Sequence, residues 1–527
     1  MKKLLILVLA LTMILSLPAC TGTSKEQDAA KSDTAGTQKS DNKTDTSDIN
    51  SNTTAEQSAD AYGWPVIRME VCSFTDAAEK EELVENALNE YLISINAGVQ
   101  ADLLPIPIGN RSTQLTLMLS DKTNPIDLYA WRWYSTVTEL VDNDQCISLE
   151  KYREIYPELW ELFPEAVYDT CKVNGEQYSI PGADSFGNFQ VYAMRKDLAD
   201  EVGLGDRHGT RITLDDLEPY LEKAEELHPE LCWLGDMWVK PVQGIDDLGD
   251  NHALGVLMNR GYNNTTVVNY YASEEFHAYC NRCKKYADMG FVRDDPLNNS
   301  LTGAAMINDG ICGGFMFEGY SCDYANSLMK AQCPNYPMVV FQLTEAGCDN
   351  SCVFNGWQIS SICEHPDEAM KLLYLAYTDV TVGRLLAMGI EGVTYKVDEN
   401  GCAWYADGVT AENCGWNMSA PWFYPNECLC LPFETDYATY YTGMVEFWHD
   451  PEVRYSEATG FVFDNKAVFN EVKACSATVD EYRAALMAGQ VDVDEYLGRF
   501  NEELRENGID SIVAEMQKQL DAFTTSK

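Results

Sequence analysis

A strand–helix–strand–helix–strand run over residues 66–130 constrains this chain more than any other stretch. Val66 to Phe74 is rich in β-branched and apolar residues and reads as a strand. Thr75-Asp76 then opens a helix with Leu83, Ala87, Leu88, Tyr91, Leu92 and Ile95 on one stripe and Gly98 as its stop. Ala101 to Ile108 is a second strand, Ser112 caps a short helix through Leu119, and Pro125 to Ala130 is a third strand. Strands alternating with helices pair in parallel, because each crossover helix brings the chain back to the same end of the sheet. The expected fold class is therefore α/β. In open sheets of this kind ligands sit outside the carboxyl ends of the strands. The third strand runs there into Trp131-Arg132-Trp133-Tyr134, a dense cluster of flat side chains.

Ahead of this run, Lys2 and Lys3 precede a stretch from Leu4 to Leu17 that is apolar apart from Thr12 and Ser16. It is shorter than the ~20 apolar residues of a membrane span. Leu17-Pro18-Ala19-Cys20 follows, and the whole resembles a bacterial lipoprotein signal. That resemblance implies a leader at residues 1–19 and a diacylglycerol on the Cys20 sulfur, holding the chain on the membrane surface. From Thr21 to Ala61 the only large aliphatic residue is Ile49. Such a segment cannot bury a core, so residues 20–62 read as a flexible Ser/Thr/Asp-rich tether.

The 527 residues leave room for two or three domain-sized cores beyond the tether, and a hydrophobic content of 46% marks a globular protein. With 83 acidic against 37 basic residues, the formal charge of −46 repels polynucleotides, so no nucleic-acid partner is expected. One of the 18 cysteines is Cys20, which leaves an odd number and rules out complete internal pairing. Cys280 and Cys283, Cys348 and Cys352, and Cys428 and Cys430 are close in sequence, and His277 lies one helical turn before Cys280. No clear fourth ligand follows, so buried free thiols are the expectation and no metal is assigned. Dinucleotide, P-loop, nucleophile-elbow and zincin motifs are all missing, so no cofactor and no catalytic residue is assigned. Asp398-Glu399-Asn400-Gly401 reads as a turn rather than a calcium loop.

Downstream, Ile147 to Leu149 precede a helical stretch at about Tyr152 to Tyr168. Gly175-Glu176-Gln177-Tyr178-Ser179-Ile180-Pro181 belongs to a hairpin running into an extended segment. Arg195-Lys196-Asp197-Leu198 opens a helix that reaches Gly203-Leu204. Further on stand Ala304-Ala305-Met306, the strand Gly313 to Phe317, the strand Asn355 to Ser360, and the helix His365-Pro366-Asp367-Glu368-Ala369-Met370-Lys371-Leu372-Leu373. In this order and spacing the motifs resemble the family 1 extracellular solute-binding proteins of ABC importers, the sugar-binding branch. Gly389-Ile390-Glu391-Gly392-Val393 with Tyr395, together with the chain end from Tyr496 to Phe523, points to the LipO-like subgroup. The resemblance implies a two-lobed type II periplasmic-binding-protein fold with a ligand cleft between the lobes. Lobe 1 takes residues 63–190 and about 353–440, and lobe 2 takes 191–352 and about 441–527 with C-terminal helices. It also implies a monomer on the extracellular face of the cell membrane. That monomer is not an enzyme; it captures an oligosaccharide and passes it to the transmembrane subunits of an ABC permease.

A sugar ring has an apolar C–H face and a hydroxyl edge, which suit an aromatic plane beneath and carboxylates, amides or guanidinium around the rim. The chain supplies 11 Trp and 29 Tyr. Trp131, Arg132 and Trp133 are candidates from the strand-end position. Tyr320 follows the Gly313–Phe317 strand, Trp357 opens the returning strand, and Trp422 lies on the Pro-punctuated loop Ala420–Pro425. Asp184 and Asn188 follow the Gly175–Pro181 motif, where the family places hydroxyl partners near the crossover. Trp160 is assigned to the core. An electropositive cleft would favour acidic sugars, with Arg132 and Arg195 as the first suspects. The alternatives are a peptide or other small-solute binder of the same fold, or a surface glycan-degrading enzyme using a carboxylate pair.

Overall fold

The computed structural model describes residues 62–73, 80–235, 244–249, 252–293, 296–298, 301–416, 418, 420–435 and 437–526. The leader, Cys20, the tether to Ala61 and the Thr75-Asp76 helix start lie outside the described residues.

The first sheet has five strands in the spatial order Gln100–Pro107, Val66–Ser73, Leu128–Ala130, Gly356–Ile359, Ile180–Pro181. Val66–Ser73 pairs in parallel with Gln100–Pro107 and with Leu128–Ala130, as the alternation predicts. Gly356–Ile359 is antiparallel to both of its neighbours, with Trp357 opposite Ala130 and Ile180. The first helix is described over Glu81–Ser94, and its buried stripe is Val84, Leu88 and Leu92, with Leu83 53% exposed. The expected stripe is thus corrected by one residue, because the i, i+4 spacing that meets the sheet starts at Val84. Helix Arg111–Met118 begins one residue before Ser112, with Asn110 in the capping place, so Ser112 sits in the first turn. The helix expected over residues 152–168 is broken instead. Pro157 and Pro164 cut it into the short turns Glu150–Tyr152, Pro157–Trp160 and Glu165–Asp169, since proline removes a backbone donor. The hairpin is present as Lys172–Val173 against Glu176–Gln177. Asn174 (φ 52°) and Gly175 (φ 81°) supply the left-handed pair that a two-residue turn requires.

Beyond Pro181 the chain leaves this sheet and builds a second one, Gly314–Gly319, Phe189–Arg195, Met338–Gln342, with both pairings antiparallel. One of its faces packs on Leu198, Leu217, Leu221, Trp233 and Phe291, and the other on Met306, Ile307, Cys312 and Met329. A third apolar core lies among the helices Glu274–Asp288, Phe469–Met487, Val493–Glu506 and Ile509–Ser526. The return to the first sheet is followed by helices Pro366–Thr378 and Val380–Met388, which join its core through Leu372, Leu373, Val382 and Leu386.

Three crossing segments lie side by side between the sheets. Asn188 and Gly347 exchange backbone hydrogen bonds of 3.1 Å each. Gly347 and Cys348 pair in parallel with Arg454 and Tyr455. The Arg260 guanidinium clamps them, donating to the carbonyls of Asn188 (3.1 Å) and Gly347 (2.9 Å) and to Asp349 (2.8 Å). The sixteen cysteines whose side chains are described form no disulfide with one another, and thirteen of them are buried, which fits small apolar residues in the core. No helix among the described residues is long and apolar enough to cross a membrane.

Candidate ligand cleft

The cleft begins where the strand Leu128–Ala130 ends. Trp131 keeps the ladder going by one bond, its N–H donating to the Gly356 carbonyl at 3.1 Å, and the chain then turns sharply with Trp133 at φ 54°. A non-glycine residue in that region is strained by about 1–2 kcal/mol. A buried ion pair holds the turn. Arg111 is bonded to Glu70 and donates to the carbonyls of Ala130 (2.6 Å) and Arg132. Glu70 in turn accepts from the Ala130 N–H at 3.1 Å. Glu70 and Arg111 come from the neighbouring strand and the following helix, so the sheet itself dictates where Trp131–Trp133 project.

Arg132 is the centre of the aromatic group. Its guanidinium lies 4.6 Å from the Trp133 ring, 4.7 Å from Trp422 and 5.6 Å from Phe354, and it donates to the Phe354 carbonyl at 3.2 Å. Trp133 and Trp422 meet edge to face at 5.5 Å. Trp133 is 55% and Phe354 50% exposed, an unusual display of aromatic surface. Burial lowers the Arg132 pKa, opposed by the charge of Asp184. Burial raises that of Asp184, opposed by the Ser185 N–H and by Arg132.

A tyrosine group packs with the core of the first sheet. Tyr320 stacks on Tyr324 at 4.5 Å and donates to the Tyr440 carbonyl at 3.0 Å, and Tyr324 meets Tyr440 edge to face at 5.4 Å. Glu427 lies beside them, 4% exposed, on the short turn Glu427–Leu429. Burial pushes its carboxyl well above the usual range, and the Asp184 charge adds to the push. Burial, then Glu427, then Asp184 raise Tyr324 to about 12. The backbone brings the Asp184 and Glu427 segments together, the Ala183 N–H donating to the Pro425 carbonyl at 3.0 Å. The helix Tyr440–Trp448 closes the back: its Trp448 indole donates to the Asp184 carbonyl at 2.6 Å.

The structure brings Arg132, Trp133, Asp184 and Trp422 together. Tyr320 is corrected: it is 5% exposed and packs in the core of the first sheet, because its ring stacks on Tyr324 and its hydroxyl is spent on the Tyr440 carbonyl. Trp357 is corrected: it is fully buried, its indole N–H donating to the Phe423 carbonyl at 3.2 Å, because the inward face of a central strand points into the core. Trp131 packs between the two cores of the first sheet across Gly356, where a Cβ would meet its Nε1 at 2.5 Å, so it is a support rather than a platform. Asn188 is engaged by Arg260 and donates to Glu318 at 3.3 Å, which ties it to the crossing. Phe354, Tyr324, Glu427 and Tyr440 escaped the sequence reading. Phe354 alone carries a usable signal, as the residue before the returning strand. Among the described residues no cluster of three or more His, Cys, Asp or Glu side chains is arranged to hold a metal ion.

Two sheets joined by side-by-side crossings, with an aromatic and carboxylate cleft where they meet, define the class: this is the fold of the two-domain extracellular solute-binding proteins. The chain is similar to a carbohydrate ABC transporter substrate-binding protein of Streptococcus pneumoniae serotype 4 (strain ATCC BAA-334 / TIGR4), 24% identical over 493 residues that cover 90% of this chain and 94% of that protein. The crystal structure of the N-glycan transport solute binding protein NgtS from Streptococcus pneumoniae matches at a TM-score of 0.68 and 21% identity, covering 88% of this chain and 99% of that one. The same protein in complex with Man1GlcNAc matches at 0.57, with 21% identity and coverage of 88% and 100%. A family model described as a domain of unknown function, DUF3502, matches residues 457–525. These relatives are transporter substrate-binding proteins, not enzymes.

Proposed function

We propose that this chain is a lipid-anchored extracellular solute-binding protein that captures an oligosaccharide and delivers it to an ABC importer. The observation that carries the reading is the aromatic group: exposed Trp133 and Phe354 beside Trp422, with the Arg132 guanidinium among them and Asp184 near it. Flat apolar planes edged by hydrogen-bonding groups are what a sugar ring requires. The named relative is a carbohydrate binder, and NgtS is solved with Man1GlcNAc. A neighbour whose two structures fit one chain at 0.68 and 0.57 differs in shape between them, which accords with lobes that move about the crossings. Lobe 1 then comprises residues 63–190 and about 353–440, and lobe 2 residues 191–352 and about 441–527; the two sheets have separate cores, but Tyr441, Met444, Phe447 and Trp448 pack in that of the first sheet, which favours a later boundary than 440. Placement in the LipO-like subgroup rests on Gly389–Tyr395 and on the C-terminal helices that the DUF3502 model covers.

Thermal-shift screening of residues 62–527 against glycan and peptide panels tests the ligand class. A ligand at ~100 times its Kd adds about 2.7 kcal/mol of stability. Stabilisation by oligosaccharides, with a smaller radius of gyration in solution scattering, is expected. Stabilisation by peptides alone would favour the rival peptide binder. Anchoring through Cys20 is tested separately: Cys20→Ala protein should bind ligand and be shed into the medium. A variant that stays on the cells overturns the anchor.

A further inference from the structure

The turn Asn259–Gly261, with Tyr262 after it, touches all three crossings. The Arg260 side chain reaches two of them at once. Asn188 and Gly347 bond each other through backbone N–H and carbonyl groups, and each carbonyl accepts a second bond from the guanidinium, at 3.1 Å and 2.9 Å. The same guanidinium donates to Asp349 at 2.8 Å. Gly261 takes the third crossing. Its carbonyl accepts from the Glu457 N–H at 3.1 Å, and a Cβ there would meet the Ser456 Oγ at 2.1 Å. Tyr262 has the Arg454 guanidinium 4.1 Å from its ring, and its hydroxyl would lie 1.4 Å from a Cβ on Gly347, so only glycine fits there.

This turn is strained. Asn259 (φ 56°), Arg260 (φ 50°) and Gly261 (φ 71°) are left-handed in succession, and Asn263 (φ 52°) follows. Side chains on left-handed residues cost conformational energy, and such a run persists only where its surroundings over-determine it. Behind the turn lies the strand Val256–Leu257, part of the third core, and in front lie the crossings. The third core grips the middle crossing again one residue on. Asp246, paired with Leu257, accepts from the Asn350 N–H at 3.0 Å and from its amide at 2.7 Å. The Arg260 side chain is 13% exposed, so little water is at hand to replace its bonds. None of those bonds goes to Arg132, Trp133 or Trp422.

We infer that Arg260 is a positioning residue for ligand capture, an inference that rests on the two-lobed binder proposed above. It braces two crossings against each other, so the lobes turn about a stiff hinge and less ordering is left for the ligand to impose. Hydrogen exchange and solution scattering of the chain beyond the leader, both without ligand, test it on Arg260→Met. The amides of Asn188 and Gly347 should exchange about tenfold faster, with a broader distribution of interatomic distances in scattering. Amides of Leu128–Ala130 and of residues 191–193, one stretch in each sheet, should keep their rates. Arg260→Lys keeps a charge beside Asp349 without the fork for two carbonyls, so it should show the same pattern at about threefold and serves if Arg260→Met does not fold. Unchanged exchange at Asn188 and Gly347, or equal acceleration in both sheets, overturns the brace. Glycans that stabilise the parent protein should all lose affinity for Arg260→Met by one common factor of about tenfold in titration calorimetry. Losses that differ between glycans would make Arg260 a ligand contact and overturn its positioning role. Failure of every glycan to bind the parent protein would overturn the oligosaccharide function and leave the exchange result standing.

Discussion

Trp133 and Trp357 are both tryptophans at strand ends, yet they have opposite fates. Trp133 is more than half exposed at a left-handed turn, whereas Trp357 is fully buried with its N–H spent on Phe423. Truncating Trp133 removes ligand contact surface without opening a core. Trp133→Ala should weaken glycan binding on the order of 10- to 100-fold, the equivalent of about 1.5–3 kcal/mol of aromatic burial, with little change in the unfolding midpoint. Trp357→Ala should instead cost about 3–5 kcal/mol of stability, because the first sheet cannot collapse around a central cavity. Calorimetry and urea denaturation on the two variants separate the roles, and a reversed pattern would move Trp357 back into the site. Sequence position alone could not distinguish them: the strand-end argument picks out both, and only register decides which side chain turns inward. Glu427 was less visible still. A lone acid in a chain with 83 acidic residues carries no signal until folding sets it beside Asp184 and the tyrosines.

At the level of elements, the regular pieces were legible wherever periodicity or a cap spoke clearly. Thr213 accepts from the Asp216 N–H at 3.1 Å at the start of Leu214–Leu227, and Asn174-Gly175 makes its turn. What escaped was non-local. The Glu70–Arg111 pair joins a strand to a helix 41 residues on, and it fixes the Trp131–Trp133 turn through the carbonyls of Ala130 and Arg132. Arg111→Met should cost about 3–5 kcal/mol by leaving the Glu70 carboxylate buried and unpaired, and Glu70→Gln with Arg111→Met should recover part of that loss. The strand Asp246–Asp247 is tied to the return crossing in a comparable way. Asp246 accepts from the Asn350 N–H at 3.0 Å and from its amide at 2.7 Å. Burial, with the nearby Asp349 charge, raises the Asp246 pKa to about 7. A carboxyl whose folded pKa lies above its unfolded value holds its proton more tightly when folded. Its contribution is full below about pH 4 and is lost as pH rises towards 7, by up to about 1.4 kcal/mol per pH unit. Glu85, raised to about 6 chiefly by burial, acts in the same direction. Asp246→Asn should therefore lose less stability than the parent between pH 5 and pH 8 in urea denaturation. An unchanged pH slope would remove Asp246 from the account.

On the scale of the whole molecule, the alternation at residues 66–130 and the order of motifs announced two α/β sheets, and the structure has them. The C-terminal third was legible only as helices, because amphipathic stripes say that a face is buried and not against what. The structure supplies the partner. Val472, Cys475, Val479, Leu486, Phe500, Leu504, Ile512 and Met516 share one core with Leu254, Val256, Tyr271, Phe276 and Cys280, about two hundred residues earlier in the chain. The contact is also polar: Gln517 accepts from the Val267 N–H at 2.7 Å, and Asn501 donates to the Tyr271 carbonyl at 2.8 Å. The stretch matched by DUF3502, residues 457–525, is therefore half of a core rather than an appended domain. Expressed alone, it would expose the apolar faces of Phe469–Met487, Val493–Glu506 and Ile509–Ser526, and helices of that length are marginal in water without tertiary packing. Circular dichroism of the isolated segment should show low helicity with no cooperative thermal transition. A chain ending at Tyr455 should bind the dye ANS strongly and lose the second of any two thermal transitions, since Tyr271, Phe276 and Leu254 would face water. The core of the first sheet takes no residue beyond Tyr455, so that truncated chain should keep the transition belonging to Gly356–Ile359 and its neighbours. An isolated 457–525 segment that folds cooperatively would show instead that the C-terminal helices are a domain docked on the rest.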